Sequence, residues 1–123
     1  MYELTVTRDF SAAHFLRNYH GKCERLHGHN WKVRLVVRGS QLDAAGMVVD
    51  FGVMKRMLDQ VLQTLDHRCL NELAAFSELS PSCENLARYV FDECTQHLAA
   101  GKYLTPARVE VFETETNKVA YWQ

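Results

Sequence analysis

The sequence carries almost no excess of charge, because 14 lysines and arginines face 15 aspartates and glutamates for a formal net charge of −1. Without a basic excess to displace counterions, nucleic-acid binding through bulk electrostatics is excluded. The sequence also lacks an apolar run long enough to span a bilayer. No secretory signal is recognisable, and the four cysteines form no Cys-x-x-Cys pair. We therefore expect a cytoplasmic protein with free thiols and no membrane or nucleic-acid partner.

Proline and glycine are scarce as well, with two and six residues, and no linker, repeat or low-complexity stretch interrupts the chain. Residues 1–123 are therefore predicted to form a single domain. Apolar residues make up 47% of the sequence, so a domain of this length buries a core without needing disulfide bonds.

Strand patterns lie near both ends of the chain, and helical patterns lie in the middle. Alternation of apolar and polar residues predicts four strands, over 2–8, over 31–38, around Val109 and around Val119. The order strand, strand, helix, helix, strand, strand is typical of an α+β fold. We expect a four-stranded antiparallel sheet in ββααββ order with both helices on one face.

The two helices are predicted from their caps and their apolar spacing. Asp50 is a suitable N-cap for a helix over 51–65, whose apolar residues recur every three or four positions. Ser80-Pro81-Ser82 is typical of the start of a second helix, and Gly101 of its end.

The segment Cys23-Glu24-Arg25-Leu26-His27-Gly28-His29 is the most informative part of the sequence. Two histidines at i and i+2 of an extended chain point to the same side, so His27 and His29 can converge on one metal ion. An open zinc site needs a third protein ligand; His14 is the candidate and His20 the rival. If Cys23 were a fourth ligand, the site would be closed and structural, and spacing alone leaves both possibilities open.

Two further features carry possible chemistry. Asp66 beside His67 is an arrangement that orients an imidazole for acid–base work, although histidines also occur at helix ends for electrostatic reasons. Glu113 alternates with Val109 and Val111, so it belongs to the buried row of its strand. A carboxylate there is costly unless it meets donors. A ligand with a ring N–H and an amino group could supply them, or Glu113 could simply reach water at the strand end.

Together these residues resemble the 6-pyruvoyltetrahydropterin synthase family over nearly the whole chain. The bacterial 6-carboxytetrahydropterin synthase branch (QueD) is the more similar one, because Cys23-x-x-x-His27-Gly28-His29 is similar to its combined nucleophile and zinc motif. The segments that carry the resemblance are Phe10–His14, Cys23–His29, Val49–Phe51, Leu65–Asn71, Pro81–Leu86 and Phe112–Asn117.

The resemblance implies a role for each candidate residue. It implies Zn²⁺ on His14, His27 and His29, with Cys23 free as the thiol that abstracts a proton. It implies that Asp66 and His67 assist catalysis. The pterin would bind to Glu113 and to the start of the second helix, where Ser82 and Cys83 replace the threonine and serine usual in the family.

The resemblance also implies an assembly and a reaction. The tunnelling fold joins sheets of several subunits into a β-barrel, commonly a homohexamer of two stacked trimers with active sites between subunits. The expected reaction converts 7,8-dihydroneopterin triphosphate to 6-carboxy-5,6,7,8-tetrahydropterin, releasing acetaldehyde and triphosphate, a step toward queuosine and related 7-deazaguanines. The alternatives are 6-pyruvoyltetrahydropterin synthesis without side-chain cleavage, a zinc hydrolase using Glu24, and a non-catalytic zinc-stabilised interaction module.

Overall fold

The computed structural model describes residues 1–99 and 104–123, so the helix end predicted at Gly101 lies outside the described residues. Two long strands come first, β1 at Tyr2–His14 and β2 at His27–Gly39. Helix α1 at Phe51–Leu62 and the two-residue strand β3 at Arg68–Cys69 follow. The chain continues with helix α2 and two further strands, whose bounds are Cys83–Leu98 for α2, Thr105–Thr114 for β4 and Asn117–Tyr121 for β5.

The α+β class is confirmed, but the prediction of a four-stranded, purely antiparallel sheet is wrong. The sheet has five strands in the order β3-β1-β2-β4-β5. The additional strand β3 pairs in parallel with the end of β1, with Ala12 opposite Arg68 and Ala13 opposite Cys69. A strand of two residues has no period to detect, which is why the alternation pattern could not show it.

Both leading strands are longer than predicted. They pair without interruption from Tyr2 opposite Gly39 to His14 opposite His27. The residues around Ala12 and Gly28, where the sequence shows no clean alternation, therefore belong to the sheet. The paired ends therefore carry the histidines of the Cys23–His29 motif on regular backbone.

The two helices cover one face of the sheet, as predicted. Asp50 accepts hydrogen bonds from the first backbone N–H groups of α1 at Gly52 and Val53. The helix ends at Leu62 rather than at 65, because the next backbone bonds are tighter turns, such as Leu65 N to Leu62 O at 3.0 Å. Ser82 caps α2 by accepting from the backbone N–H of Asn85. Among the described residues, no helix combines the length and apolar character needed to cross a bilayer.

One continuous core fills the space between the helices and the sheet. Trp31, Val33 and Leu35 of β2 are fully buried against Leu58 of α1 and Leu86 of α2. Because residues of a strand alternate between faces, His14, His27 and His29 belong to this helix-covered face, at the end of the core. The core therefore supports these histidines from one side.

The other face of the sheet is charged. Glu110 is 4% exposed and its carboxylate meets Lys118 at 2.7 Å, Arg34 at 3.1 Å and Arg108 at 3.4 Å. Burial works against ionisation, but the three cations outweigh it and lower the pKa of Glu110. The two faces of one sheet thus present an apolar core with histidines at its end and a charged, open surface.

Candidate metal centre and active site

Three imidazoles converge at the paired ends of β1 and β2. His14 lies directly opposite His27, and His29 lies opposite Ala12. One ring nitrogen from each histidine can be chosen so that all three lie within 4.8 Å of one another. The ring centroids are 4.7, 4.9 and 5.2 Å apart. This convergence follows from antiparallel register, which brings i and i+2 of one strand against the end of the other.

Backbone carbonyls fix the orientation of two of the rings. His14 Nδ1 donates to the carbonyl of Pro81 at 2.8 Å, and His27 Nδ1 donates to the carbonyl of Arg25 at 2.7 Å. A carbonyl only accepts, so each ring carries its proton on Nδ1 and keeps a lone pair on Nε2. This is the arrangement by which metal-ligating histidines are usually oriented.

The ring nitrogens that do not bind backbone carbonyls are suited to bind a metal ion. Nε2 of His14 and Nε2 of His29 are buried and have no hydrogen-bond partner within the described ranges. His14 is 2% exposed, and a buried unsatisfied polar atom is costly. Burial also lowers the pKa of His29, which favours the neutral form that binds metal. The three residues therefore fit a zinc ion with three neutral nitrogen donors and an open fourth position.

Trp31 forms the floor of this cluster. Its ring lies edge-on to those of His14 and His29, at 4.9 and 5.1 Å between centroids. The indole N–H donates to the carbonyl of Ala12 at 3.2 Å, so its polar atom is satisfied. By strand alternation, Trp31 lies on the same face of β2 as His27 and His29.

The remaining groups of the motif lie outside the cluster. Cys23 is an exposed free cysteine, and its sulfur is not part of the metal-capable group. The carboxylate of Glu24 accepts a hydrogen bond from the backbone N–H of Leu16 at 3.2 Å. His20, the rival third ligand, is exposed with φ of 50° and lies edge-on to the ring of Tyr19. The geometry therefore favours His14 over His20 as the third ligand.

Asp66 and His67 form the predicted pair, in a turn that follows α1 rather than in its last helical turn. His67 Nδ1 and Asp66 Oδ1 are 2.9 Å apart, and the same carboxylate oxygen accepts from the backbone N–H of Ser11 at 2.9 Å. These bonds, first that of Ser11 and then that of His67, lower the pKa of Asp66. His67 adopts φ of 56°, and its backbone N–H donates to the carbonyl of Ser11 at 2.6 Å. Backbone contacts with β1 thus hold the turn in place.

The Asp66–His67 pair lies outside the group of three imidazoles. His67 lines a hollow of about 350 Å³ whose other lining residues come from the paired ends of β1 and β2: Ser11, Ala12, Ala13, Gly28, His29 and Asn30. By strand alternation Ala12 and His29 belong to the histidine face and the other four to the opposite face, so the hollow lies at the end of the strands between the two faces. The side chain of His67 is 81% exposed there.

Glu113 does lie beside the cluster. Its Oε1 is 3.5 Å from His29 Nε2, so alternation placed it on the correct face, and its side chain is 34% exposed, which makes it half-buried. The pairing of β4 with β5 shifts register between Phe112 and Thr114, at the position of this residue.

Ser82 and Cys83 lie at the start of α2. The Cys83 thiol is buried and donates to the carbonyl of Val111 at 3.2 Å. Burial, helped by the charge of Glu113, raises the pKa of this thiol to about 11, so it stays protonated near neutral pH. Cys83 is therefore a neutral group near Glu113 and no nucleophile.

Sequence reasoning missed the carbonyls of Pro81 and Arg25 as partners of the histidines. Every residue has a carbonyl, so no residue type marks one that will orient a ligand. Only the tertiary approach of Pro81 to His14, 67 residues apart, reveals it.

The chain is similar to proteins that are named as pterin synthases. The family model for 6-pyruvoyl tetrahydropterin synthase matches residues 3–123. The 6-carboxy-5,6,7,8-tetrahydropterin synthase of Synechocystis is 36% identical over 92% of this chain and 87% of the relative. The enzyme of the same name from Bacillus subtilis is 35% identical over 94% and 80%. The human 6-pyruvoyl tetrahydrobiopterin synthase is 34% identical over 82% and 70%.

The fold is shared with a solved member as well. The structure of Caenorhabditis elegans 6-pyruvoyl tetrahydropterin synthase superposes with a TM-score of 0.79 at 27% identity, covering 100% of this chain and 97% of that one. The fold and site define a pterin synthase. The chain belongs to the 6-pyruvoyl tetrahydropterin synthase family, as its sequence resemblance indicated.

Proposed function

We propose that this protein is a zinc-dependent 6-carboxy-5,6,7,8-tetrahydropterin synthase. It converts 7,8-dihydroneopterin triphosphate and water to 6-carboxytetrahydropterin, acetaldehyde and triphosphate. The observation that carries the proposal is the group of three imidazoles, two of them oriented through Nδ1 by backbone carbonyls. The relatives from Synechocystis and Bacillus subtilis carry the name of this activity and cover most of the chain.

His14, His27 and His29 are the proposed zinc ligands. Three neutral imidazoles leave the full charge of the ion uncompensated. A Zn²⁺ ion held by these residues would supply Lewis-acid polarisation of the substrate's side-chain oxygens and so would make the adjacent C–H and O–H groups more acidic. Trp31 of the core packs edge-on against the ring of His14, and the carbonyls of Pro81 and Arg25 hold two of the ligand rings in orientation.

Cys23 is the proposed base that removes a proton from the substrate side chain. Its thiol is exposed and free, and it lies four residues before the first histidine of β2. A sulfur outside the metal-capable group remains available for proton transfer, which distinguishes this proposal from a closed structural zinc site.

Glu113 is the proposed anchor of the pterin. Its half-exposed carboxylate can accept from a ring N–H and an exocyclic amino group together, and it lies 3.5 Å from His29. This places the bound ring beside the metal ligands. Ser82 and Cys83 border the same region, with Cys83 contributing shape and a neutral thiol rather than charge.

Asp66 and His67 are proposed to shuttle a second proton, and for this they need another copy of the chain. They lie outside the group of three imidazoles, and the side chain of His67 is 81% exposed, where a neighbouring subunit can reach it. We therefore propose that Cys23 of one subunit and His67 of another share a site. Such a shared site goes with the homo-oligomer proposed from the family resemblance, a hexamer of two trimers whose sheets close into a barrel.

The experiment is incubation of zinc-loaded protein with 7,8-dihydroneopterin triphosphate and mass analysis of the products. We expect 6-carboxytetrahydropterin with stoichiometric acetaldehyde and triphosphate. The variant His27→Ala/His29→Ala at the same concentration measures the background. Absence of substrate consumption by the wild type would remove the proposal.

The second candidate is 6-pyruvoyltetrahydropterin synthesis, favoured by the name of the human relative at 34% identity. That reaction eliminates triphosphate but neither consumes water nor cleaves the side chain. It therefore gives triphosphate without acetaldehyde, and the same product analysis separates the two.

A further inference from the structure

The carbonyl of Pro81 is the only group seen holding Nδ1 of His14 among the described residues, at 2.8 Å. His14 is 2% exposed, so water gives its ring little support. Any shift of the Pro81 carbonyl therefore turns the imidazole or leaves its N–H unpaired. The position of this metal-capable histidine depends on the backbone that carries Pro81.

That backbone is neither helix nor strand. Ser80, Pro81 and Ser82 precede α2, Ser82 in extended conformation, and none of them pairs with a strand of the sheet. Proline restricts one dihedral angle, but the other angles of the segment are fixed by contacts. Two contacts at Ser80 fix it: one comes from α2 and the other from the chain after β1.

The contact from α2 is the side chain of Asn85. Its Nδ2 donates to the carbonyl of Ser80 at 2.8 Å. The backbone N–H of the same residue donates to Oγ of Ser82 at 3.2 Å and forms the helix cap. Asn85 therefore forms hydrogen bonds to the segment on both sides of Pro81, once through its side chain and once through its backbone.

The contact from the other side is the backbone of Arg17. Its N–H donates to Oγ of Ser80 at 2.8 Å, three residues after His14. The guanidinium of Arg17 donates to the carbonyls of Phe76 and Leu79 at 2.7 and 3.2 Å. Oγ of Ser80 also donates to the carbonyl of Arg17 at 3.4 Å. Because both bonds to Ser80 use the backbone of Arg17, no substitution of Arg17 removes them cleanly. Asn85 is the side chain of α2 through which this support can be tested.

We propose that Asn85 is a positioning residue for the metal centre, acting on His14 through Ser80 and the Pro81 carbonyl. The inference rests on the proposed zinc site but goes beyond it, since Asn85 touches neither ion nor substrate. Outer groups that orient metal ligands change metal affinity about 10–100-fold when they are removed. Asn85 acts one bond further out, so we expect a loss of about tenfold.

The test measures zinc affinity by competition with a chelating dye, without substrate, together with the absorption spectrum of the Co²⁺-substituted protein. Asn85→Ala removes the side-chain donor and keeps the backbone cap. Asn85→Asp keeps the volume and suits a helix start, but it offers no donor to the Ser80 carbonyl. We expect both variants to bind zinc about tenfold more weakly and to shift the Co²⁺ bands.

Asp50→Ala is the matched control, because Asp50 caps α1 and lies outside this network. It lowers the Tm of the metal-free protein but leaves zinc affinity and the Co²⁺ spectrum unchanged. Wild-type zinc affinity in both Asn85 variants overturns the inference, as does an equal loss of affinity in Asp50→Ala. Zinc binding that depends on Asn85 in a protein without pterin turnover would sink the proposed function alone.

Discussion

On the helix-covered face of the sheet, the ends of β1 and β2 hold three imidazoles in packed surroundings against Trp31. Next to this cluster, the same strand ends border the hollow lined by His67, whose side chain is 81% exposed. Both groups are built on the same backbone pairs. The histidine cluster is nearly complete within a single chain, while the hollow lined by His67 is open to solvent.

The difference shows which part of the chemistry depends on the single chain and which part depends on the assembly. Register and burial within one chain suffice to converge His14, His27 and His29, because strand pairing fixes their separation. Within the described ranges, no hydrogen bond joins the Asp66–His67 pair to that cluster; its bonds go to Ser11 and within the pair. We therefore expect metal binding to be a property of the folded chain and turnover to be a property of the assembly.

The largest effect is expected at the metal centre. His27→Ala removes one of three ligands, so zinc affinity should fall roughly a hundredfold or more and turnover should become undetectable. The measurement is zinc content after dialysis, followed by the product assay. The control His20→Asn changes the rival histidine to a residue that tolerates its positive φ, and it should keep both zinc and activity. Zinc loss in His20→Asn but not in His27→Ala would reverse the ligand assignment.

Cys23→Ala should separate binding from catalysis. The thiol is exposed and lies outside the metal-capable group, so zinc content and Tm should remain close to those of the wild type. Turnover should fall by about 10²–10⁴-fold, the range for loss of a positioned acid or base. Single-turnover assays of zinc-loaded protein measure it. Loss of zinc and of folding together would instead indicate the non-catalytic module with a closed site.

Mixed assemblies test where the two halves of the site meet. His67→Ala should keep zinc but lose turnover, as Cys23→Ala does. If the two residues act from different subunits, equal co-expression of both variants restores about a quarter of the sites by random pairing. If they act from the same chain, every site contains one defect and no activity returns. The assay therefore measures specific activity of the purified mixture against each variant alone.

The histidine cluster was largely predictable from the sequence, and the reason is physical. Strand residues alternate between faces, so His27, His29 and Trp31 had to share one face once the strand was recognised. The assignment of His14 depended on the family resemblance and on its place after the first strand. The helix cap at Asp50 followed equally from local chemistry.

The rest depended on contacts that no local pattern encodes. The bond from His14 to Pro81 joins residues 67 positions apart, and β3 is too short to have a period. Alternation placed Glu113 on the correct face but could not show the register shift that leaves it half-exposed. Recognising the Asp66–His67 pair needed only adjacency, whereas its place outside the group of three imidazoles depended on the path of the turn after α1.

The smallest effect is expected from Asp66→Asn and concerns the exposed pair itself. The pKa of Asp66 is lowered in the folded protein by the Ser11 N–H and by His67. Its contribution to stability is therefore complete above the ordinary aspartate pKa of about 4 and is lost as the pH falls through the lower folded-state value. Because the group is exposed, the variant should lose a few degrees of Tm at most at neutral pH.

This gap in Tm should stay constant from about pH 7 to pH 5 and close below about pH 4, when the wild-type carboxylate also becomes neutral. Thermal unfolding followed by circular dichroism across this range measures it. Asp43→Asn is the control. Asp43 accepts two backbone hydrogen bonds in a loop outside the site, so this variant should leave turnover unchanged. A gap that persists undiminished at the acid end would mean that the carboxylate charge is not what ties this turn to β1. The turn that carries Asp66 and His67 would then be held on β1 by the backbone hydrogen bond from His67 to Ser11 alone.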